Sequence, residues 1–230
     1  VAIARASGQT PQVAGSAGAT SIAVTLPQNV VAGNAIMAIG KYRNGTPGFS
    51  DGLGNTYAVD ADTGTDGNNG VRIGSAKNLT TGGACTVTFG TVTSSRIGIS
   101  AMEYSGFSGG AAFDKSASAG AAGTAVDSGA TATTTAADEL LIGGASDGAG
   151  STYTWTNSFT LVAENTTGRF SMADRIVAAA AAYNATATLG TSTDWRAVIA
   201  TYKETGGGAA AFIKMVGNNF RLAGLGGLAS

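Results

Sequence analysis

Residues 84–106, ACTVTFGTVTSSRIGISAMEYSG, return without a gap one hundred positions later as residues 184–206, NATATLGTSTDWRAVIATYKETG. The two stretches share eight of 23 residues: Thr86/Thr186, Thr88/Thr188, Gly90/Gly190, Thr91/Thr191, Thr93/Thr193, Arg96/Arg196, Ile99/Ile199 and Gly106/Gly206. Thr is common in this chain, so some matches are inexpensive. The ungapped run also keeps apolar character at Val87/Ala187 and Phe89/Leu189, which composition alone does not supply. The chain is therefore an internal duplication, and each copy serves as a control for residues in the other.

Working outward, Asn55–Val59 matches Asn157–Leu161, Asn34–Gly40 matches Asp138–Gly144, and Val1–Ser7 corresponds loosely to Ala111–Ala117. The changing offsets place insertions in connecting loops, where length is free to vary. Runs of alternating or wholly apolar residues, separated by Gly, Asn, Asp and Ser clusters, predict seven short strands per copy. In the first copy they lie near 1–6, 20–27, 33–42, 56–60, 71–78, 84–90 and 96–104; in the second, near 112–117, 128–135, 139–146, 159–164, 169–177, 184–190 and 195–203. The Ala-rich run 178–182 occupies the place of the turn Thr80–Gly83 and reads as a strand end or loop. Seven strands in about 100 residues is the size of a β-sandwich with Ig-like or jelly-roll connectivity. The expected fold is all-β: two tandem duplicated β-sandwich modules, 1–106 and 111–206, followed by an extended C-terminal arm, 207–230.

Composition narrows the function classes. Charged residues make up 12% of the chain, about half the usual share, and 36 glycines with abundant small polar residues stand in their place. A net charge of −1 gives no basic footprint for nucleic acid. There is no histidine, hence no Ser-His-Asp arrangement and none of the usual zinc chemistry. The single cysteine, Cys85, aligns with Ala185; with Val87 and Phe89 it forms one apolar face, which reads as a small buried hydrophobe. No apolar run reaches 18 residues, so no membrane-spanning helix is expected. The opening VAIARASGQT lacks the pattern of a secretory signal, so a signal has either been removed or was never there, and a start at Val is compatible with loss of an initiator Met after cytoplasmic synthesis.

From Gly206 the character changes: a triglycine linker, then AAAFIKMVGNNFRLAGLGGLAS, with Lys214 and Arg221 and no acid. Phe212, Ile213, Met215, Val216, Phe220 and Leu222 are too apolar for a tail kept in water, and the glycines discourage a helix. The segment reads as an arm that docks on another copy or another protein, with folding back on its own module and a membrane-surface helix as the other options.

Three further constellations carry possible chemistry. The loop Asp60–Asn69 holds closely spaced oxygen ligands of the kind calcium takes, but it lacks EF-hand spacing and a closing Glu, and turns select the same residues. Paired carboxylates suffice for glycoside hydrolysis. Glu103 lies in a strand, but its counterpart is Lys203, and that exchange of sign reads as solvent-facing charge. Trp155, Trp195, Tyr57, Tyr153 and Tyr183 offer either sugar-stacking platforms or ordinary sandwich core. Arg96 and Arg196 recur at a strand start, which favours a shared structural bond to a turn carbonyl. These readings leave no catalytic residue, metal or cofactor to assign.

Several turn and strand signals resemble a family of bacteriophage and prophage structural proteins with duplicated β-sandwich modules. They are the opening Ala4-Arg5-Ala6-Ser7-Gly8, Ser21–Pro27 followed by Val31–Asn34, Gly54–Tyr57, Ala76–Asn78, Glu103–Gly106 and Thr134–Leu141. The resemblance covers most of 1–206 and implies a noncatalytic virion structural protein, either a capsid decoration protein or a tail or fibre component. It further implies synthesis in a host cytoplasm, homo-oligomeric assembly with itself or other virion proteins, and possible contact with a host-surface glycan. The alternative is a carbohydrate-binding surface adhesin module.

Overall fold

The computed structural model describes residues 2–107 and 109–205; the arm 207–230, with Phe212, Ile213, Met215, Val216, Phe220 and Leu222, lies outside the described residues. The first copy forms β1 (Ala4–Arg5), β2 (Gln12–Thr25), β3 (Ala35–Tyr42), β4 (Gly48–Asp51), β5 (Tyr57–Asp62), β6 (Gly70–Ala76) and β7 (Thr86–Ser105). The second forms β8 (Ala111–Asp127), β9 (Asp138–Asp147), β10 (Tyr153–Trp155), β11 (Thr160–Asn165), β12 (Phe170–Ala178) and β13 (Thr186–Glu204). The fold is all-β, two β-sandwich-like modules, with no helix among the described residues.

The modules repeat one antiparallel plan. In the first, the sheet order is β1-β7-β3-β6-β5, with β2 and β4 also on β7; in the second it is β10-β13-β9-β12-β11, with β8 on β13. The start of β8 does for β13 what β1 does for β7: Ala111 pairs with Glu204, and Ala4 with Ser105. Even the irregularity is shared, since β5 slips register against β6 between Val59 and Ala61, and β11 against β12 between Leu161 and Ala163.

Strand ends differ from the sequence expectation in an instructive way. The expected strands 84–90 and 96–104 are one strand, β7, and 184–190 and 195–203 are likewise one, β13. No Gly-Pro or Asn-Gly punctuation separates them, so the chain stays extended and bends instead. The bend is accommodated by register shifts, between Ser16 and Ser21 on β2 and between Thr188 and Thr193 on β13, as bulges allow. Each long strand thereby serves both layers of its sandwich: the first half of β7 carries β4, and the second half carries β3. Residues 128–135, expected as a strand, are not one; β8 ends at Asp127. The short β4 and β10 were not anticipated, because three or four residues give little periodicity.

Alternation decides what each apolar strand covers. On β3, Ile36 and Ala38 face the core of their own module, while Met37 and Ile39 face a second cluster. On β9, Leu141 belongs to its own module's core, whereas Leu140 and Ile142 join that same second cluster. This shared cluster, with Phe170, Met172, Val198, Met102, Tyr104 and Tyr202 among its members, lies between the modules. The two large sheets therefore pack face to face, which explains why β3 and almost all of β9 are buried on both faces.

Glycines on the strands permit the closest approaches. A Cβ on Gly98 of β7 would stand 2.3 Å from Phe170 Cε1, and one on Gly144 of β9 would stand 2.4 Å from Ile39 Cδ1. Each module thus offers a bare backbone seat to a large side chain of the other. Polar contacts cross the interface in the same reciprocal manner. Tyr104 Oη donates to Asp174 Oδ2 at 2.8 Å, and Arg5 grips the same carboxylate through Nε at 2.7 Å and Nη2 at 2.9 Å. In the opposite sense Tyr202 Oη donates to Asp60 Oδ2 at 2.9 Å, with Lys77 Nζ on Asp60 Oδ1 at 2.9 Å.

Glu103 corrects the solvent-facing reading of that position. It is 1% exposed, and its carboxylate accepts from Val31 N (2.8 Å), Asn34 Nδ2 (2.7 Å) and Gln9 Nε2 (2.6 Å). In the second module Glu139 accepts from Ala136 N at 3.1 Å, so a neighbouring strand supplies the acid that holds the turn entering β9. Lys203 meanwhile donates to Asp114 Oδ1 at 3.1 Å. Comparison of the copies failed here because the same task had moved from β7 to β9.

Candidate functional site

The basic residues show where the molecule departs from pure scaffolding. Of the 13 Lys and Arg, Lys214 and Arg221 lie outside the described residues. Six of the others, Arg5, Arg72, Lys77, Lys115, Arg196 and Lys203, form ion pairs with aspartates. Among the described residues Lys41, Arg43, Arg96, Arg169 and Arg175 do not. Arg175 stacks on the Tyr183 ring. The remaining four converge on one cleft of about 400 Å³ at an end of the module interface, together with Asn68, Asn69, Gly148, Thr193 and Asp194.

Three pieces of chain deliver the four cations. Lys41 stands near the end of β3, and Arg43 follows that strand. Arg96 comes from β7 just beyond its bend, and Arg169 from the turn entering β12. Asn165 Oδ1 accepts from Gly168 N at 2.6 Å and Asn165 O from Arg169 N at 2.7 Å, closing that turn with Arg169 at φ 62°, a left-handed conformation uncommon for a residue with a side chain. Arg96 reaches across the interface to the carbonyl of Thr167, and Arg169 bonds the carbonyl of Gly148. Arg43 Nη2 donates to Asn68 Oδ1 at 2.6 Å. Asn69, oriented so that its amide nitrogen faces Asn68 O (3.0 Å) and Asp147 O (2.8 Å), ties the 66–69 turn to the second module.

Lys41 is the unusual member. It is 1% exposed, and its ammonium donates to one protein acceptor, Asn68 O, at 3.2 Å. Burial lowers its pKa from 10.5 to about 7, and Arg96, Arg43 and Arg169 push in the same direction. The nearby Asp147 opposes this weakly. Its carboxylate already accepts from Ala149 N (2.6 Å), Gly150 N (2.5 Å), Ser151 N (3.2 Å) and Tyr153 Oη (2.6 Å). Four cationic side chains therefore share a polar hollow whose one acidic lining residue is Asp194. Such an arrangement raises the local positive potential and presents N–H groups toward any negative group that enters.

The residues singled out in the sequence fall elsewhere. In the acidic loop, Asp62 accepts from Tyr42 Oη (2.6 Å) and Arg72 Nη2 (2.5 Å), while Asp66 accepts from Asn68 N (2.8 Å) and Asn69 N (2.7 Å) and pairs with Arg196 (3.0 Å). The loop acids point to separate internal donors, and no group of three metal-ligating side chains converges among the described residues. Trp195, Tyr153 and Tyr183 are buried, and Tyr57 and Trp155 pack half-buried against the module cores. Three of the five thus present no open ring face to a sugar, and the other two are already packed on one side. Cys85 is fully buried, and burial with the neighbouring Asp51 raises its pKa to about 12.

Arg96 and Arg196 do share a structural task. Both cross to the other module, Arg96 to a turn carbonyl as expected and Arg196 to Asp66. The cleft itself was missed, because its cations come from three distant stretches, 41–43, 96 and 169; the close pair Lys41 and Arg43 and the recurrence of Arg96 were the local signals. No helix among the described residues is long and apolar enough to cross a membrane. Comparison with models of protein families, with curated proteins and with solved structures finds no match for the chain.

Proposed function

We propose that the chain is a noncatalytic structural protein of a virion, a capsid decoration or tail or fibre component, in which the paired modules act as one stiff body and the segment after Thr205 docks on a neighbouring subunit. The observation that supports this reading is the use made of the acidic side chains. Glu103, Asp147 and Asp114 hold turns, Asp60 and Asp174 join the modules, and Asp51 receives Leu53 N (2.9 Å), Asn55 N (3.1 Å) and Asn55 Nδ2 (2.9 Å). Side chains committed to several donors each serve rigidity better than proton transfer, which requires a carboxyl within reach of substrate. The turn and strand signals that resemble those of duplicated phage β-sandwich proteins are in keeping with this reading.

Light scattering after gel filtration, on the full chain and on a chain ending at Thr205, tests the reading. The shortened chain is expected to keep its circular dichroism and unfolding midpoint while losing self-association or binding to its particle. Association unchanged by the truncation refutes the docking role of the arm.

A further inference from the structure

We propose that the cleft between the modules is a binding site for a small hydrophilic oxyanion, an acid group carried on a ligand no larger than a sugar phosphate or a sugar acid. Four observations carry the assignment. First, the cleft gathers four of the five described cations that are not in ion pairs, although they lie on separate strands and turns of both modules. They come from three stretches, 41–43 and 96 in the first module and 169 in the second, so the packing of the modules is what assembles the group. Second, Lys41 is nine-tenths or more buried yet uses one acceptor, leaving two of its three N–H donors without a partner among the described residues. A buried cation is costly unless something neutralises it. Third, three guanidinium groups offer the forked geometry that matches carboxylate, sulfate or phosphate oxygens. Fourth, the lining holds no aromatic ring and no large apolar side chain, so nothing there would stack a nucleobase or hold an acyl chain.

The volume, about 400 Å³, exceeds what a bare phosphate fills and suits a small polar molecule bearing one acid group. Sugar phosphates and charged glycans share this chemistry, and both are hydrophilic enough for the lining. The described lining falls within residues 41–194 and the test below uses no change in the arm, so the outcome is distinguishable from that of the assembly role.

Isothermal titration of the full chain at about 0.1 M ionic strength tests the assignment, with sodium sulfate, glucose 6-phosphate and glucuronate as probes and glucose as the neutral control. Sulfate keeps its charge across the useful pH range, so any pH dependence belongs to the protein. The groups facing the site are Lys41, Arg43, Arg96, Arg169, Asp194 and Asp147, and the chain has no histidine. Lys41, with a pKa of about 7, is the one that changes charge between pH 6 and 8.5. Sulfate is expected to bind several-fold more weakly at pH 8.5 than at pH 6, and Lys41→Met is expected to remove that difference. Arg43→Ala, at the rim, is expected to weaken binding about tenfold, the value of one charge-assisted bond. Arg175→Ala removes the same charge outside the cleft and is expected to change affinity less than twofold.

Tighter binding of glucose 6-phosphate supports a phosphate ester as the natural ligand, and tighter binding of glucuronate supports an acidic glycan. No binding of any charged probe up to 10 mM overturns the proposal, as does equal weakening by Arg175→Ala and Arg43→Ala. Self-association broken by Arg43→Ala in a protein that binds no small anion also overturns it, since the cleft would then receive an acidic side chain of another copy.

Discussion

Gly98 and Phe170 offer a measurable link between the two modules. Gly98 lies on β7 of the first module and Phe170 on β12 of the second, and a Cβ at position 98 would fall 2.3 Å from Phe170 Cε1 and 2.6 Å from Cδ1. Carbon atoms in contact normally sit at roughly 3.5–4.0 Å. The ring of Phe170 would have to move by more than about 1 Å, and it is fully buried in the shared cluster. Overpacking of that kind costs about 1–3 kcal/mol, so Gly98→Ala should destabilise the protein by that amount. Phe170→Ala should cost about 3–5 kcal/mol through lost burial and the cavity it leaves. In the double variant the new methyl enters that cavity, and the cost of Gly98→Ala should fall below about 0.5 kcal/mol. The resulting coupling, about 1–3 kcal/mol, is what residues in direct contact show. Urea unfolding followed by tryptophan fluorescence and by circular dichroism measures it. Both tryptophans, Trp155 and Trp195, belong to the second module. A first-module change that moves the fluorescence midpoint together with the dichroism midpoint shows that the modules unfold as one unit. Additive costs, or a fluorescence transition unmoved by Gly98→Ala, would show that the two modules are not coupled through this contact.

Two other outcomes follow from the titrating groups. Lys41 is held near pKa 7 in the folded protein against 10.5 in the unfolded chain, so between those values the unfolded state binds the extra proton and stability rises with pH. Relative to Lys41→Met, the native protein should gain roughly 2–3 kcal/mol between pH 6 and pH 10, a discounted share of the upper limit set by about 1.4 kcal/mol per pH step; a flat difference contradicts the burial of the ammonium. Cys85, buried and with its pKa raised to about 12, should resist a thiol reagent at pH 8 and react at the rate of unfolding in urea, whereas prompt labelling of the native protein would place the thiol at the surface.

The duplication made the fold readable because strand alternation survives in both copies: Cys85, Val87 and Phe89 are buried, as are Ala185, Ala187 and Leu189. The doubly apolar strands at Ala35–Ile39 and Leu140–Ile142 announced burial on two faces, and the second face proved to be the other module. What pattern did not reveal was continuity, since Gly90, Ser94 and Ser95, which read as a break between strands, sit inside the single bent strand β7. Comparing copies misjudged Glu103, because equivalent turns are held by acids from different strands. The cleft was invisible for a related reason. Lys41 and Arg43 stand two residues apart, but Arg96 and Arg169 lie far from them in sequence, and only the docking of one sheet on the other completes the group.

Electron cryo-microscopy of the native assembly that carries this chain tests the structural role most directly. The account predicts the paired modules as one body, docked face to face, at regularly repeating positions, with added density joining each copy beyond Thr205 to its neighbour. A chain recovered only as a free monomer, with no particle or polymer bearing it, would contradict the assembly role.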